Sequence, residues 1–124
     1  MKKDIAMALV AELRSGKILQ TRGRLRNAEN KMCCLGVLCN VHAKANPEIA
    51  VNETDPQCYM GEVWLVPQPV LEWADFHQNV GTRRDKLPLP FPGKGTYPSL
   101  AMANDAGVTF PEIADYIEAN YEQL

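Results

Sequence analysis

The sequence predicts one small α+β domain that is mainly helical, with a short antiparallel β-sheet and a C-terminal helical hairpin. Three observations lead to this prediction. Apolar residues recur at helical spacing in several segments, and two shorter segments are rich in β-compatible residues. A chain of 124 residues, 46% of them hydrophobic, can bury one modest core but not two. We therefore expect residues 1–124 to form a single domain.

The first third of the chain predicts a helix followed by a strand. Ile5, Leu9 and Leu13 recur at helical spacing between Asp4, a candidate N-cap, and Gly16, a candidate C-terminal stop. The next segment, KILQTRGRLRN, alternates around a glycine and is rich in β-compatible residues. This pattern predicts a short strand or hairpin.

The middle third predicts a buried helix, a second strand and a short helix. CLGVLCNVHAKA, at residues 34–45, has the length and apolar density of a central core helix, which the following Asn-Pro ends. Residues 48–61 are polar and predict turns. EVWLV around Trp64 then suggests a strand that pairs with the first one, and two prolines open a helix over PVLEWADF.

The last third predicts a long loop and then two helices. Residues 77–98 contain four prolines and three glycines, a composition that favours a long exposed loop. Ser99 can cap a short helix that Gly107 ends. Thr109 and Glu112 have the spacing of a capping box at the start of a final helix.

Charge is distributed unevenly along the chain. Residues 1–45 carry nine basic and three acidic side chains, whereas residues 99–124 carry five acidic side chains and no Lys or Arg. The two ends can therefore face each other in the fold or offer separate surfaces to a partner. No apolar run is long enough for a secretion signal or a membrane span, which predicts a cytoplasmic protein without a membrane partner.

The cysteines predict a reduced compartment and buried thiols. Cys33, Cys34 and Cys39 crowd into the apolar run CCLGVLC, where small hydrophobic side chains are expected to be buried. Cys39 and His42 can be drawn into a zinc site, but structural zinc usually has two close ligand pairs. A nucleophilic Cys34 at a helix N-terminus has no recognisable signature around it. We therefore assign no catalytic residue, no metal site and no cofactor.

The most distinctive binding signal is a row of arginines. Arg22, Arg24 and Arg26 would project from one face of an extended strand, with Lys17 and Lys31 nearby in sequence. Guanidinium groups match phosphate and carboxylate oxygens, so these five residues predict a site for an anion or an acidic partner. A solvated edge strand protected by its charges would carry the same pattern.

The 77–98 loop is a second candidate interaction surface. Arg83 and Arg84 add positive charge to it, and Phe91 and Tyr97 occupy the segment that is least able to bury aromatic rings. The two tryptophans, by contrast, are expected in the core, because a domain this small needs its largest side chains there.

The C-terminal helices have the spacing of a helix-turn-helix from Ala103 through Gly107 to Ile113. Their acidity argues against DNA binding, because a reading helix must approach the phosphate backbone closely. We therefore expect a plain helical hairpin and no DNA partner.

Four blocks of sequence together resemble a known group of proteins. They are ELRSGKILQTRGRLRN, KMCCLGVLCNVHAKA, WLVPQPVLEWADF and LAMANDAGVTFPEIADYIEAN. Their order and spacing are similar to those of small proteins common in tailed-bacteriophage and prophage genomes, over most of the chain outside residues 46–60 and 77–98. The resemblance implies a setting but no activity. That setting is a non-structural phage protein in an infected bacterium, where proteins of this size often bind and disable host factors or defence systems.

These observations favour a non-enzymatic phage protein that occludes a bacterial host or anti-phage defence protein in the host cytoplasm. The alternative is a protein that sequesters a nucleotide or another phosphorylated small molecule through the same arginines. An enzyme that uses Cys34 or Cys39, and a helix-turn-helix DNA binder, rank below both. The sequence indicates no oligomeric state.

Overall fold

Helices and one β-hairpin make up the regular structure. The computed structural model describes residues 1–51 and 55–124, apart from the side chains of residues 50 and 51. The predicted α+β class, mainly helical with a small antiparallel sheet, is confirmed. Within the described ranges, no helix has the length and apolar character needed to cross a membrane. In chain order the elements are α1 (Lys3–Arg14), α2 (Cys34–Ala45), α3 (Pro47–Val51), α4 (Gln68–Ala74), β1 (Leu89–Phe91), β2 (Gly95–Tyr97), α5 (Leu100–Asp105), α6 (Phe110–Asn120) and a 3₁₀ turn (Tyr121–Gln123).

α2 lies in the core, as its apolar sequence predicts. Every residue from Cys34 to Cys39 is buried. The helix N-terminus is capped from within the fold, because Cys33 Sγ accepts a hydrogen bond from the Gly36 N–H at 3.4 Å and Asn104 Oδ1 accepts one from the Cys34 N–H at 3.1 Å. These buried N–H groups would destabilise the fold if they had no acceptor.

α1 packs along α6, and this contact brings the basic and acidic ends of the chain together. Both helices bury apolar residues in the core, including Leu9 of α1 and Ile113 of α6. At its edge, the Arg14 guanidinium donates to Asp115 at 2.7 Å and to Glu118 at 3.0 Å. Because these pairs are solvent-exposed, they orient the two helices more than they stabilise them.

The C-terminal helical hairpin is confirmed together with its capping residues. Ser99 Oγ accepts a hydrogen bond from the Met102 N–H at 3.2 Å at the start of α5. Gly107 ends the first helix with a φ of 100°, a conformation that glycine adopts without strain. Thr109 and Glu112 form the reciprocal capping box at the start of α6.

The sheet is not where the sequence predicts it. The basic segment and the segment around Trp64 are not strands, and they share one backbone hydrogen bond, from the Leu25 N–H to the Val63 C=O at 2.8 Å. The antiparallel sheet instead pairs β1 with β2, inside the 77–98 segment that we expected to be a loop. Its prolines are compatible with strand structure because both strands of a two-stranded sheet are edges.

Residues 48–61 also differ from the predicted turn region. α3 extends from Pro47 to Val51, and an isolated bridge joins Tyr59 to Glu62. The part of this prediction that concerns residues 52–54 lies outside the described residues.

Candidate binding surfaces

The arginine segment is a loop that is attached to the core at Leu25. Leu25 is buried, and its C=O accepts a hydrogen bond from the Cys33 N–H at 3.3 Å while its N–H donates to Val63. Gly36 allows α2 to approach this carbonyl, because a Cβ at that position would lie 1.9 Å from the Leu25 oxygen. The residues on either side of Leu25 therefore have a defined place on the surface.

The arginines do not project from one strand face as predicted. Gly23 has a φ of 75°, and its N–H donates to Asp105 Oδ1 at 2.9 Å, so the backbone turns after Arg22. The guanidinium of Arg22 lies beside Gly107, where an added Cβ would come within 3.1 Å of Nη2. Arg22 is therefore directed at the turn between α5 and α6.

Arg24 and Arg26 are directed at a different part of the fold. Arg24 Nη1 donates to Gln57 Oε1 at 2.9 Å, and Arg26 Nη1 donates to the Pro56 C=O at 3.1 Å. Both acceptors are neutral. Each guanidinium retains further donors for a partner.

No carboxylate among the described residues forms an ion pair with Arg22, Arg24 or Arg26. Every other arginine of the chain is in such a pair, so the difference separates the predicted site from the rest of the surface. The paired arginines are Arg14, Arg83 and Arg84.

The predicted site also includes two lysines. Lys17 is exposed and forms no ion pair within the described ranges. Lys31 is half-buried and pairs with Glu29 at 3.3 Å. Within the described residues, Lys17 and the three arginines are therefore the basic side chains of this region that form no ion pair.

Trp64 is exposed, which contradicts its predicted place in the core. Its relative exposure is 64%, whereas Trp73 is half-buried against His42 with the two ring centroids 4.9 Å apart. Trp64 directly follows Val63, which accepts the hydrogen bond that holds Leu25. Exposed tryptophans are typical of binding sites because the indole combines a large apolar face with one donor. We define the arginine surface as Arg22, Arg24, Arg26 and Trp64.

The aromatic residues predicted as a second surface belong mostly to the core. Phe91 is buried and packs against Tyr116 and Tyr97, with ring centroids 5.2 Å and 6.1 Å away. Its predicted exposure is wrong because β1 turns its side chain inward. Tyr97 is half-buried, and its hydroxyl donates to the Lys94 C=O at 2.8 Å.

Arg83 and Arg84, the cationic residues of the same loop, are already bound by carboxylates. Arg83 donates through Nε to Asp85 at 2.8 Å and through Nη1 to the Tyr116 hydroxyl at 3.2 Å. The hydrogen bonds from Arg83 lower the pKa of Asp85 to about 2. Arg84 pairs with Asp75 at 3.4 Å.

An open groove of about 380 Å³ lies along this loop. Cationic and apolar side chains line it together, and Leu87 is an exposed large apolar residue among them. We call it the loop groove and define it by His77, Arg83, Lys86, Leu87, Pro88 and Pro98.

Three cysteines are buried as predicted and provide no activated nucleophile. Burial raises the pKa of Cys33 to about 11 and the pKa of Cys34 well above its usual value. This effect is opposite to the lowering expected for Cys34 at a helix N-terminus. Among the described residues, no group of three or more His, Cys, Asp or Glu side chains is placed to hold a metal ion.

A comparison with protein families covers nearly the whole chain. The model of a family described as Domain of unknown function (DUF8296) matches residues 1–121. The chain belongs to this family. No curated protein and no solved structure matches this DUF8296 chain.

Three residues of the candidate surfaces of the DUF8296 chain were not among the site residues predicted from the sequence. EVWLV has the composition of a buried strand, and nothing in it marks Trp64 as exposed. Lys86 and Leu87 stand among prolines and glycines, and only the folded path of the loop brings them to one groove. No local sequence signal would have identified them.

Proposed function

We propose that this chain is a non-enzymatic binding protein that attaches to an acidic surface of a partner protein and blocks that surface by occlusion. The observation that carries the proposal is that Arg22, Arg24 and Arg26 form no ion pair with any residue that the structure describes, whereas the other arginines are all paired. Guanidinium groups bind carboxylates through two parallel hydrogen bonds. The exposed Trp64 adds apolar contact area, and arginine and tryptophan are the residues most enriched at interface hot spots.

The spread of the arginines favours a protein partner over a single small anion. Arg22 is directed at the turn that contains Gly107, whereas Arg24 and Arg26 reach residues 56–57. A protein partner typically covers about 800 Å² on each side and can contact both regions. One phosphate group can engage only one of them.

The resemblance to phage and prophage proteins supplies the setting of the proposal. In that setting the partner is a bacterial host protein or an anti-phage defence protein, and the site of action is the host cytoplasm. Occlusion of a partner requires only that the two proteins bind. The arginine surface can bind through its guanidinium charges and through the indole ring of Trp64.

Affinity capture from bacterial lysate tests the proposal. The tagged wild type is compared with Arg24→Glu/Arg26→Glu and with Lys2→Glu/Lys3→Glu. The second variant changes the net charge equally, at two exposed lysines beside the start of α1. We expect a specific partner to bind the wild type and the lysine variant and to be lost from the arginine variant, because reversed charges repel its carboxylates. Equal capture by both variants would refute the assigned surface.

A second candidate function is the binding of a phosphorylated small molecule such as a nucleotide. It is favoured by Arg24 and Arg26, whose guanidinium groups approach the same turn and keep donors free for one phosphate. A thermal-shift panel of nucleotides separates the two candidates, because a ligand at 100 times its Kd stabilises a protein by about 2.7 kcal/mol. A rise in Tm that Arg24→Glu/Arg26→Glu abolishes would favour this candidate over the protein partner.

A further inference from the structure

The loop groove is lined by both apolar and cationic side chains. Leu87, with a relative exposure of 59%, contributes a large apolar side chain to the surface of the groove. Among the described residues that line the groove there is no Asp or Glu. The apolar lining residues are Leu87, Pro88 and Pro98, and the cationic ones are Arg83 and Lys86.

Lys86 supplies the uncompensated charge of the groove. Arg83 is neutralised by its ion pair with Asp85, at 2.5 Å. The Lys86 ammonium, by contrast, makes no hydrogen bond or ion pair with any residue in the described ranges. Gln78 and Thr82 also line the groove, and their side chains likewise have no hydrogen-bond partner within those ranges. Together these groups present donors to an incoming carboxylate.

The open shape of the groove favours a segment of a protein chain over a free small molecule. Its volume of about 380 Å³ lies within the usual range for ligand sites of roughly 300–1,000 Å³. Such sites normally bury most of the ligand, whereas the side chains of His77, Lys86, Leu87 and Pro98 are themselves exposed. A segment that a partner already holds on its own surface needs to be covered on one side only.

α5 places the loop groove close to the arginine surface. Pro98 lies two residues before this helix, and Gly107, beside Arg22, lies two residues after it. A helix of six residues is about 9 Å long, so one partner can cover both regions. Met102, an exposed apolar residue with a relative exposure of 54%, lies on α5, the helix that joins them.

We propose that the loop groove binds a segment of the partner protein in which a carboxylate side chain adjoins an apolar one. The carboxylate is bound by Lys86, and the apolar side chain packs on Leu87 and the two prolines. This inference rests on the proposed function, because it assigns the groove to the same acidic partner. It adds the sequence character of the segment that the partner must present.

The test is an NMR titration of the full ¹⁵N-labelled chain with a defined probe, the capped peptide acetyl-Leu-Glu-Leu-Glu-amide. Its control is the same peptide with glutamine in place of glutamate. We expect the acidic peptide to shift the amide signals of residues 77–88 with a Kd no weaker than about 1 mM, which corresponds to roughly 4 kcal/mol. The glutamine peptide is expected to bind about tenfold more weakly because it lacks the charge that Lys86 recognises.

Three variants make the result specific. Lys86→Glu is expected to weaken binding of the acidic peptide by about tenfold or more. Leu87→Ser is expected to weaken binding of both peptides. The Tm of each variant shows whether it is folded. Arg24→Glu/Arg26→Glu is expected to leave peptide affinity within about twofold, because additivity holds for separate sites. This variant separates the two proposals. The arginine surface can lose its partner while the groove still binds the peptide, and the reverse is equally possible.

Three outcomes would overturn the inference. They are an absence of shifts at residues 77–88, equal affinity for the acidic and glutamine peptides, and peptide binding that Lys86→Glu leaves unchanged. A parallel titration with 4-methylpentanoate, a free carboxylic acid with an apolar chain, tests whether the groove binds a small molecule in place of a protein segment. Binding of this free acid without binding of the peptide would make the groove a small-molecule site and would refute the peptide assignment.

Discussion

The Gln20 side-chain amide donates to the Asn104 carboxamide oxygen at 2.9 Å, across 84 residues of sequence. The same Gln20 amide donates to the Val108 C=O at 2.8 Å, and its oxygen accepts from the Phe110 N–H at 3.2 Å. Asn104 also donates to the Thr21 C=O at 2.8 Å. These hydrogen bonds attach the start of the arginine segment to α5 and to the turn that follows it.

Asn104 is therefore expected to be essential for stability. Asn104→Ala should lower the free energy of unfolding by roughly 3 kcal/mol, because it leaves the Gln20 amide, the Cys34 N–H and the Thr21 C=O without this partner. A double-mutant cycle with Gln20→Ala, measured by urea denaturation, should give a coupling energy of about 1 kcal/mol. Strictly additive effects would show that the two amides do not interact.

Gly36→Ala is expected to destabilise the fold by roughly 3 kcal/mol, because the new Cβ would overlap the Leu25 carbonyl. The sign of the effect is diagnostic. In a helix interior with free space, the same substitution stabilises by up to about 1 kcal/mol because alanine has the higher helix propensity. Urea denaturation gives the sign directly, and a stabilised variant would contradict the close approach of α2 to the arginine segment.

Truncation of the two tryptophans should change the free energy of unfolding by very different amounts. Trp64→Ala should change the free energy of unfolding by less than about 0.5 kcal/mol because the ring is exposed. Trp73→Ala should cost roughly 3 kcal/mol because its ring packs on His42. Acrylamide quenching checks the assignment. The indole that remains in Trp73→Phe should be quenched strongly, and the one that remains in Trp64→Phe weakly.

Stability is expected to decrease in mildly acidic solution because of His42. This side chain is buried, its Nδ1 lies 2.6 Å from the Tyr59 hydroxyl, and burial lowers its pKa. The unfolded chain, with a histidine pKa of about 6.5, therefore binds more protons than the folded chain as the pH falls through that value. The stabilisation is present at neutral pH and is lost on acidification.

Urea denaturation between about pH 7.5 and pH 5.5 measures this loss, over the range in which histidine titrates. His42→Asn is the control, because asparagine offers an oxygen near the position of Nδ1 but does not titrate. We expect its unfolding free energy to depend less on pH than that of the wild type. An unchanged pH dependence in the variant would exclude His42 as the cause.

The cysteines should differ sharply in reactivity. Cys58 is half-buried, whereas Cys33, Cys34 and Cys39 are buried and the pKa of each is raised by burial. A thiol-specific colorimetric reagent should therefore modify one thiol rapidly in the native protein and the others at the rate of unfolding. Cys58→Ser should remove the rapid phase. Rapid modification of Cys34 would instead support the hypothesis of an enzyme that uses this cysteine.

The helices were predictable because their signals are local. The apolar spacing of α1, the continuous apolar run of α2 and the capping residues Ser99, Thr109 and Glu112 act within one or two turns of chain. The buried face of α6 follows from the same spacing. These features depend little on contacts with distant parts of the chain.

The sheet and the surfaces were not predictable because they depend on long-range contacts. KILQTRGRLRN has the composition of a strand, but Gly23 turns it and the side chains of Asn104 and Asp105, more than 80 residues away, bind its backbone. The proline-rich sequence around Phe91 predicts exposure, but the ring packs against Tyr116 on α6. The sequence singles out the three arginines as candidates, whereas their orientations and the exposure of Trp64 could be obtained only from the fold.

The attachment of Leu25 to the core has a consequence for the kinetics of association. Because its backbone is held on both sides, Arg24 and Arg26 stand on a segment that is already ordered before the proposed partner binds. Binding then restricts mainly side-chain rotamers, at about 0.5–1.5 kcal/mol for each immobilised side chain, and needs no folding of the loop. For an interface of this kind, salt governs how fast the partner arrives and has little influence on how long it stays.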